Sequence, residues 1–350
     1  MASEAGNATD SGAGLVADAP LGDRNTLRVA ARARHLVELR EPGSLPELLA
    51  RAELRDHPLL VLGSGSNILF TGDYPGTVLV MAALGVELTV TDAGGVGLRV
   101  AAGERWDDFV RWSLAEGHAG LENLIMIPGT VGAAPIQNIG AYGVEVAEFI
   151  EAVEAWDREA GRFVSLARDD CAFGYRDSRF KREPGRHIVT AVRFRLPRAP
   201  APRTDYAGLR EELARMGVER PAPFHVAEAV VHLRTRKLPD PAVIGNAGSF
   251  FKNPIVPLAE AQALKAAHPA LALWPLADGA QAKLSAAWLI EACGFKGVRE
   301  GDAGISNRHA LVLVNHGGAS GAELWALAGR VRDGVAARFG VTLQPEPVVV

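Results

Sequence analysis

The sequence predicts an α+β protein with a sheet-rich N-terminal part and a mixed C-terminal part. Two observations carry that class. Between Asn25 and Leu196, short apolar runs such as LLVL, TVLVM, VELTV and HIVTAVRFRL recur between turn residues, the pattern of strands. Beyond a proline- and arginine-rich stretch at 197–205 (PRAPAPRTD), helical periodicity takes over at Tyr206–Met216, Phe224–Arg236, Pro257–His268 and Ser320–Phe339. With 350 residues, the chain can build two cores. No internal repeat is present.

Residues 1–24 read as a disordered tail. Acidic residues stand where a signal peptide needs lysine or arginine, and no apolar h-region follows. RHLVELR then reads as a strand and SLPELLARAELR as a helix capped by Ser44. Leu59–Leu62 is a short apolar strand, Gly63–Asn67 (GSGSN) a tight loop, and Ile68–Phe70 extended again. Strands follow at TVLVM, VELTV and VGLRVAAG, then an amphipathic helix at Arg105–Gly117 with Trp106, Phe109, Val110 and Leu114 on one face. FIEAVEAWDREAGRFVSL reads as a hairpin turning at Glu159–Gly161, Ala167–Phe173 as a short helix and GYRDSRFK as a polar loop. Lys283–Cys293 (KLSAAWLIEAC) is expected to be helical, with two short strands before the last helix.

The most informative stretch is Ile127–Gly143, IPGTVGAAPIQNIGAYG, with four glycines, two prolines and no charge. Glycine entropy and proline's missing donor disfavour regular structure there. Bare backbone suits a diphosphate, with the amides of Gly129, Thr130, Gly132 and Ala133 free to face it. A buried turn between core elements is the equal alternative. GSGSN suggests a second backbone anion site. It is neither G-x-G-x-x-G opening a helix nor a G-K-[ST] P-loop.

Composition narrows the function. A net charge of −4 argues against a nucleic-acid face or an anionic-membrane surface. No apolar run reaches the ~20 residues of a membrane span. Cys171 and Cys293 form no C-x-x-C, which fits a reducing cytosol. Nine histidines are scattered; His225 and His232 lie seven apart without a third ligand, so no metal site is expected. Small molecules are the expected partners.

Four polar places stand out. In FGYRDSRFK, Tyr175, Arg176 and Arg179 cluster, as a solvated turn also would. In NAGSFFKN, Phe250 and Phe251 pin Ser249 and Lys252 near an apolar wall, though taken alone Ser249 reads more readily as a strand hydroxyl bonded to a neighbour. Arg236 and Lys237 end a helix, where cations suit the dipole. Glu346, between Pro345 and Pro347, sits in a stiff apolar terminus.

These segments occur together, in order, in one family. From about Asn25 to Val348 the chain resembles the UDP-N-acetylenolpyruvoylglucosamine reductases, through LGSGSNILF, IPGTVGAAPIQNIGAYGVE, FGYRDSRFK, RTRKLPDP, NAGSFFKNP, KLSAAWLIEACGFKG and the terminal PEP. The resemblance implies a vanillyl-alcohol-oxidase (PCMH) type FAD-binding domain over 25–198. It also implies a C-terminal α+β substrate domain over 199–350, whose last strand (about 341–350) returns to the active site. It implies non-covalent FAD, NADPH as co-substrate, and reduction of the enolpyruvyl group of UDP-N-acetyl-3-O-(1-carboxyvinyl)-glucosamine for peptidoglycan synthesis in the cytoplasm. Hydride passes from flavin N5 to the enolpyruvyl terminal carbon.

Carried over residue by residue, Arg176 stabilises the developing enediolate-like charge and Glu346 orients and polarises the neighbouring donors. Ser249 gives the proton to the α-carbon. The flavin cradle comprises Gly63, Ser64, Gly65, Ser66, Asn67, Pro128, Gly129, Gly132, Ala133, Ala134, Ile139, Gly140 and Tyr142. Tyr175, Tyr206, Lys237, Asn253 and Lys283 resemble the substrate-binding set. Trp274 in WPLADG stands where part of the family has a loop-closing tyrosine. A monomer is the expectation. Two readings compete: a sugar or lactone oxidase or dehydrogenase of the same flavin fold, marked by rapid reoxidation by O₂, and a non-catalytic nucleotide-binding protein.

Overall fold

The computed structural model describes residues 14–350. Half of the expected disordered tail thus lies outside the described residues. The other half is not a tail: Val16–Pro20 is a strand, paired antiparallel with Arg32–Leu39. Its alternation of apolar and polar residues is too short to stand out in sequence, and pairing with its neighbour decides it.

The N-terminal half builds two sheets. In the first, the order is Val16–Pro20, Arg32–Leu39, Tyr74–Met81, Leu59–Leu62, and the last three run parallel. The central parallel strand, Tyr74–Met81, is buried from Gly76 to Met81, as a strand covered on both faces must be. The second is a five-stranded antiparallel sheet, Arg162–Ala167, Ile150–Asp157, His187–Leu196, Gly95–Ala101 and Val86–Asp92 in spatial order, with the last strand in sequence at its centre. The helix Trp106–Ala115 buries Trp106, Phe109 and Val110 as its apolar stripe predicts. Buried Trp106 satisfies its indole by donating to the Leu124 carbonyl at 2.9 Å.

Several expected elements are corrected. The helix from Ser44 breaks at Arg51, whose ψ of 141° is extended, giving Leu45–Ala50 and Ala52–Arg55. Ser44 stands at the cap position, but its hydroxyl donates to the Glu41 carbonyl and caps nothing. The polar loop at GYRDSRFK contains a helical turn, Arg179–Arg182, capped by the Ser178 hydroxyl. KLSAAWLIEAC is part strand: Gln281–Leu284 is the middle strand of a three-stranded sheet, and the helix starts at Ala286 behind a Ser285 cap. The local pattern ran on through Ser285 because the strand has too few residues to show a period of two.

Two clusters form the core. The first joins the five-stranded sheet and the Trp106–Ala115 helix to the helices Leu209–Arg215 and Pro223–Lys237. The second joins the N-terminal parallel strands to Phe250, Phe251, the Ala286–Ala292 helix and the long helix Gly321–Phe339. Each half of the chain therefore lends residues to both cores.

That long helix begins with a capping box of Ser320 and Glu323 and ends at left-handed Gly340. Its first residue, Gly321, lies so close to the Phe70 carbonyl that a Cβ cannot fit. Gly321→Ala is expected to cost about 1–3 kcal/mol through this overlap and to lower the Tm by several degrees. Gly329→Ala, whose methyl meets nothing within 4 Å on the same helix, is expected to leave Tm unchanged or raise it. Thermal unfolding of the two variants side by side checks both.

Candidate active site

The two glycine-rich loops form one floor. A Cβ on Gly63 would meet the Thr130 hydroxyl at 2.5 Å, and Gly65 (φ +65°) sits against the Arg24 carbonyl. The Ser66 hydroxyl donates to the Pro128 carbonyl at 3.2 Å. Glycine at 63 and 65 thus serves close packing of loop on loop. Among the described residues, the amides of Ser64, Gly65, Ser66, Asn67, Gly129 and Thr130 donate to no protein acceptor. The expected role of the Gly132 and Ala133 amides is corrected. Gly132 donates to the Ala102 carbonyl at 2.9 Å and Ala133 to the Thr130 carbonyl at 3.1 Å, closing a turn of 3₁₀ helix. A run without charge still folds on itself where it can, because buried amides need partners.

Above this floor a cavity encloses roughly 1060 Å³ of atom-free space and opens to solvent. Ser66, Asn67, Pro128, Gly129, Ala133, Ala134, Ile139 and Gly140 line it, as do Tyr175, Arg176, Ser249, Asn253 and Glu346. Gly63, Ser64, Gly65, Gly132 and Tyr142 do not line it; they stand behind or beside the floor.

Three distant segments bring the charged and hydroxyl groups together. The chain end returns through a Phe251–Pro345 bridge. It then pairs Val348–Val349 in parallel with Ile68–Leu69. Glu346 is held by its own amide on the Phe250 carbonyl (2.8 Å). Its carbonyl accepts from the side-chain amides of Gln137 (2.9 Å) and Asn67 (3.4 Å). Its carboxylate meets Arg176 Nε at 2.9 Å, and both side chains are over four-fifths buried. A second guanidinium nitrogen of Arg176 donates to the Gly140 carbonyl at 2.6 Å. Burial lifts the Glu346 carboxyl above its ordinary value, outweighing the pull of Arg176, Lys181 and Lys252.

Strain gathers at this point. Asn138, Tyr142 and Arg176 all take positive φ (44°, 49° and 52°), a conformation that costs L-residues about 1–3 kcal/mol each and concentrates at functional sites. Asn138 braces the corner, donating to Glu145 (2.7 Å) and to the Gly174 carbonyl (3.0 Å). Opposite, Ser249 follows left-handed Gly248, whose amide donates to the Asn246 side chain. Buried Phe250 and Phe251 anchor the segment. Among the described residues no protein group bonds the Ser249 hydroxyl, so the reading of a hydroxyl tied to a strand neighbour does not hold.

At the mouth, strand placement puts Lys283 Nζ 4.7 Å from the Tyr175 ring centre and 5.8 Å from that of Trp274. Burial, then Arg176, lowers the Lys283 amine. Trp274 is 45% exposed. Tyr206, 48% exposed, packs edge-on to Tyr142 at 5.2 Å and lies with Lys237 outside the cavity lining. The Asn253 side-chain oxygen caps the Ala286–Ala292 helix at 3.0 Å. His225 is spent on the Ala222 amide, and His232 lies 3.2 Å from Glu212.

Sequence reading missed Gln137 and Arg234, which also line the cavity. The Gln137 side-chain oxygen is buried without a partner, and burial lowers the Arg234 guanidinium. A glutamine inside an uncharged run, and one arginine among three cations of RTRK, carried no signal to separate them.

Comparison with known proteins places this geometry. Residues 240–350 match the family model "UDP-N-acetylenolpyruvoylglucosamine reductase, C-terminal domain", and residues 33–167 match "FAD binding domain". The UDP-N-acetylenolpyruvoylglucosamine reductase of Xanthomonas campestris pv. campestris (strain 8004) is 53% identical over 96% of both chains. The chain belongs to the UDP-N-acetylenolpyruvoylglucosamine reductase family. The reductase of Xylella fastidiosa (strain M12) is 52% identical over 95% of both chains. The crystal structure of the Thermus caldophilus reductase superposes with a TM-score of 0.64 at 27% identity, covering 96% of this chain and 98% of that one. Membership identifies an FAD-dependent oxidoreductase. No helix among the described residues is long and apolar enough to cross a membrane.

Proposed function

We propose that the cavity reduces UDP-N-acetyl-3-O-(1-carboxyvinyl)-glucosamine with NADPH, through non-covalent FAD, in the cytoplasm. The observation that carries this reading is the meeting of Arg176, Ser249 and Glu346, from three distant segments, over a floor of open amides. The residues present fit the cofactor. Four unpaired amides of cavity-lining residues in two abutting loops, those of Ser66, Asn67, Gly129 and Thr130, suit a diphosphate without a side-chain cation. The unpartnered Gln137 oxygen suits a donor at the edge of a ring.

When bound, the flavin supplies the hydride chemistry between NADPH and the enolpyruvyl carbon. This chain's residues supply placement and charge. Arg176, fixed by Glu346 and Gly140, faces the negative charge that develops on the substrate carboxylate, where a preorganised cation acts most strongly. Ser249 gives its proton to the α-carbon. Glu346 holds Arg176 in register, and burial raises its own carboxyl.

Tyr175, Asn253, Lys283 and Trp274 form the substrate mouth in this reading, and Tyr206 and Lys237 the outer diphosphate path. Lys283→Met is expected to raise the KM for the UDP-sugar about tenfold with little change in kcat, because the ammonium between the Tyr175 and Trp274 rings is proposed to bind the substrate rather than to stabilise the developing charge. Steady-state kinetics check this. We place the division of the chain at about 238–240 rather than at 198, because the helices Leu209–Arg215 and Pro223–Lys237 share the first core.

The deciding experiment follows the flavin bands of purified protein. NADPH is expected to bleach them, and the enolpyruvyl sugar nucleotide to restore them faster than air does. Bleaching without acceleration by the sugar overturns the substrate; restoration by O₂ alone points to an oxidase.

A further inference from the structure

One pair of charged groups beside the site has no part in the mechanism above. Lys181 lies on the Arg179–Arg182 turn and reaches back to donate from Nζ to the Arg176 carbonyl at 3.2 Å. Lys252, three residues after Ser249, lies close enough for its charge to act on the Lys181 amine. Lys252 is itself fixed by its amide on the Gln344 carbonyl at 3.0 Å. Lys181 therefore fastens the Arg176 turn, and Lys252 is fastened to the returning chain end, so a charge from the Ser249 segment stands near the clamp.

The Arg176 carbonyl is worth holding. Arg176 is left-handed, and its turn closes through paired Gly174 and Asp177 amides and carbonyls (2.9 and 3.1 Å). Relaxing φ would swing the guanidinium off Glu346 and Gly140. A charged donor on that carbonyl is about twice as strong as a neutral one. The Ser178 hydroxyl, bonded to the Ile136 carbonyl at 2.6 Å, sets the start of the turn that carries Lys181.

We infer that Lys181 is a positioning residue for the reduction step, its ammonium clamping the carbonyl of left-handed Arg176, and that Lys252 makes this clamp sensitive to protons. This rests on the function proposed above. The groups facing Lys181 are Lys252, Glu346 and Asp177, with Arg176 on the clamped residue. Asp177 is engaged by Arg182, and Glu346 by Arg176. Burial, then Lys252, draws the Lys181 amine down from 10.5 to about 8. The ammonium is the clamping form. As pH rises through about 8 it becomes a neutral amine, a weaker donor that can turn to accept from Lys252. Turnover with the sugar substrate is thus expected to fall along an alkaline limb near that pH.

The test measures the substrate half-reaction against pH in flavin-loaded protein, beside the ¹⁵N shift of Lys181 Nζ in lysine-labelled protein. In the wild type, both midpoints are expected near 8. Lys181→Met is expected to slow the substrate half-reaction about tenfold at pH 7, the size of one charge-assisted hydrogen bond, and to abolish the limb. Lys181→Arg restores most of the rate and keeps it flat to high pH. Lys252→Met removes the like charge and moves both midpoints upward. The flavin spectrum reports that each variant holds its cofactor. A limb that stays in place in Lys181→Arg, or an Nζ that titrates near 10.5, overturns the proposal alone. A wild type that bleaches with NADPH but never turns over the sugar overturns it together with the functional reading.

Discussion

Ser249→Ala is expected to leave the bleaching of the flavin by NADPH intact while cutting turnover of the enolpyruvyl sugar by about 10²–10⁴, the usual contribution of a positioned general acid. The structure makes this a clean substitution. Ser249 lines the cavity, and no protein group among the described residues bonds its hydroxyl. The backbone around it is held by other atoms: Gly248 by the Asn246 side chain, Phe250 by the Leu311 carbonyl, and both phenylalanines by the core. Removing one unbonded hydroxyl therefore costs within about 0.5 kcal/mol of stability, as for substitutions that break no network. Rapid-mixing spectroscopy separates the two half-reactions. Equal losses in both, or a loss in neither, overturn the role of proton donor.

Arg176→Met is expected to damage both stability and catalysis, with a pH signature. The Arg176–Glu346 pair is largely buried, and removing one partner of such a pair leaves a charge that costs on the order of 3–5 kcal/mol. Glu346 escapes part of that by taking up a proton, because its carboxyl already sits above the ordinary 4.5 and loses its main cation. The sign follows from linkage. Below 4.5 the carboxyl is neutral in both folded and unfolded chains, and the substitution costs least. As pH rises from 4.5 to the higher folded value, the unfolded chain ionises first, so stability is lost through that window. Denaturant melts are expected to show Arg176→Met furthest below the wild type at neutral pH and closest to it near pH 4. Adding Glu346→Gln removes the orphaned charge and restores most of the stability at pH 7. Neither variant recovers turnover, which falls about 10²–10³ with the loss of the preorganised cation. A double variant as unstable as the single one overturns the account of the pair.

Much of the site was legible because its chemistry comes in short, local signatures. NAGSF with its two phenylalanines, GYRDS and the proline-flanked Glu346 each placed an unusual polar residue against apolar neighbours. The glycine-rich loops announced themselves by lacking charge. What sequence misread was of two kinds. Elements too short to show a period, such as Val16–Pro20 and Gln281–Leu284, were assigned to a tail and to a helix. Groups whose meaning lies in a distant partner were invisible. The Gly132 amide looked free until it met Ala102, and nothing in FGYRDSRFK marked Lys181 as the donor to the Arg176 carbonyl.

The family, the proposed catalytic residues and the uncharged loops are legible in the chain alone, because each is written within a few consecutive residues. Only the tertiary structure decided which amides are open, that Lys283 stands on a strand facing Tyr175, and that strained Arg176 is held between Glu346, Gly140 and a lysine pair. Most of those outcomes depend on contacts between residues far apart in the chain, 36 positions for Arg176 and Gly140 and 170 for Arg176 and Glu346. Burial and backbone pairing across the fold set them, and local preference cannot.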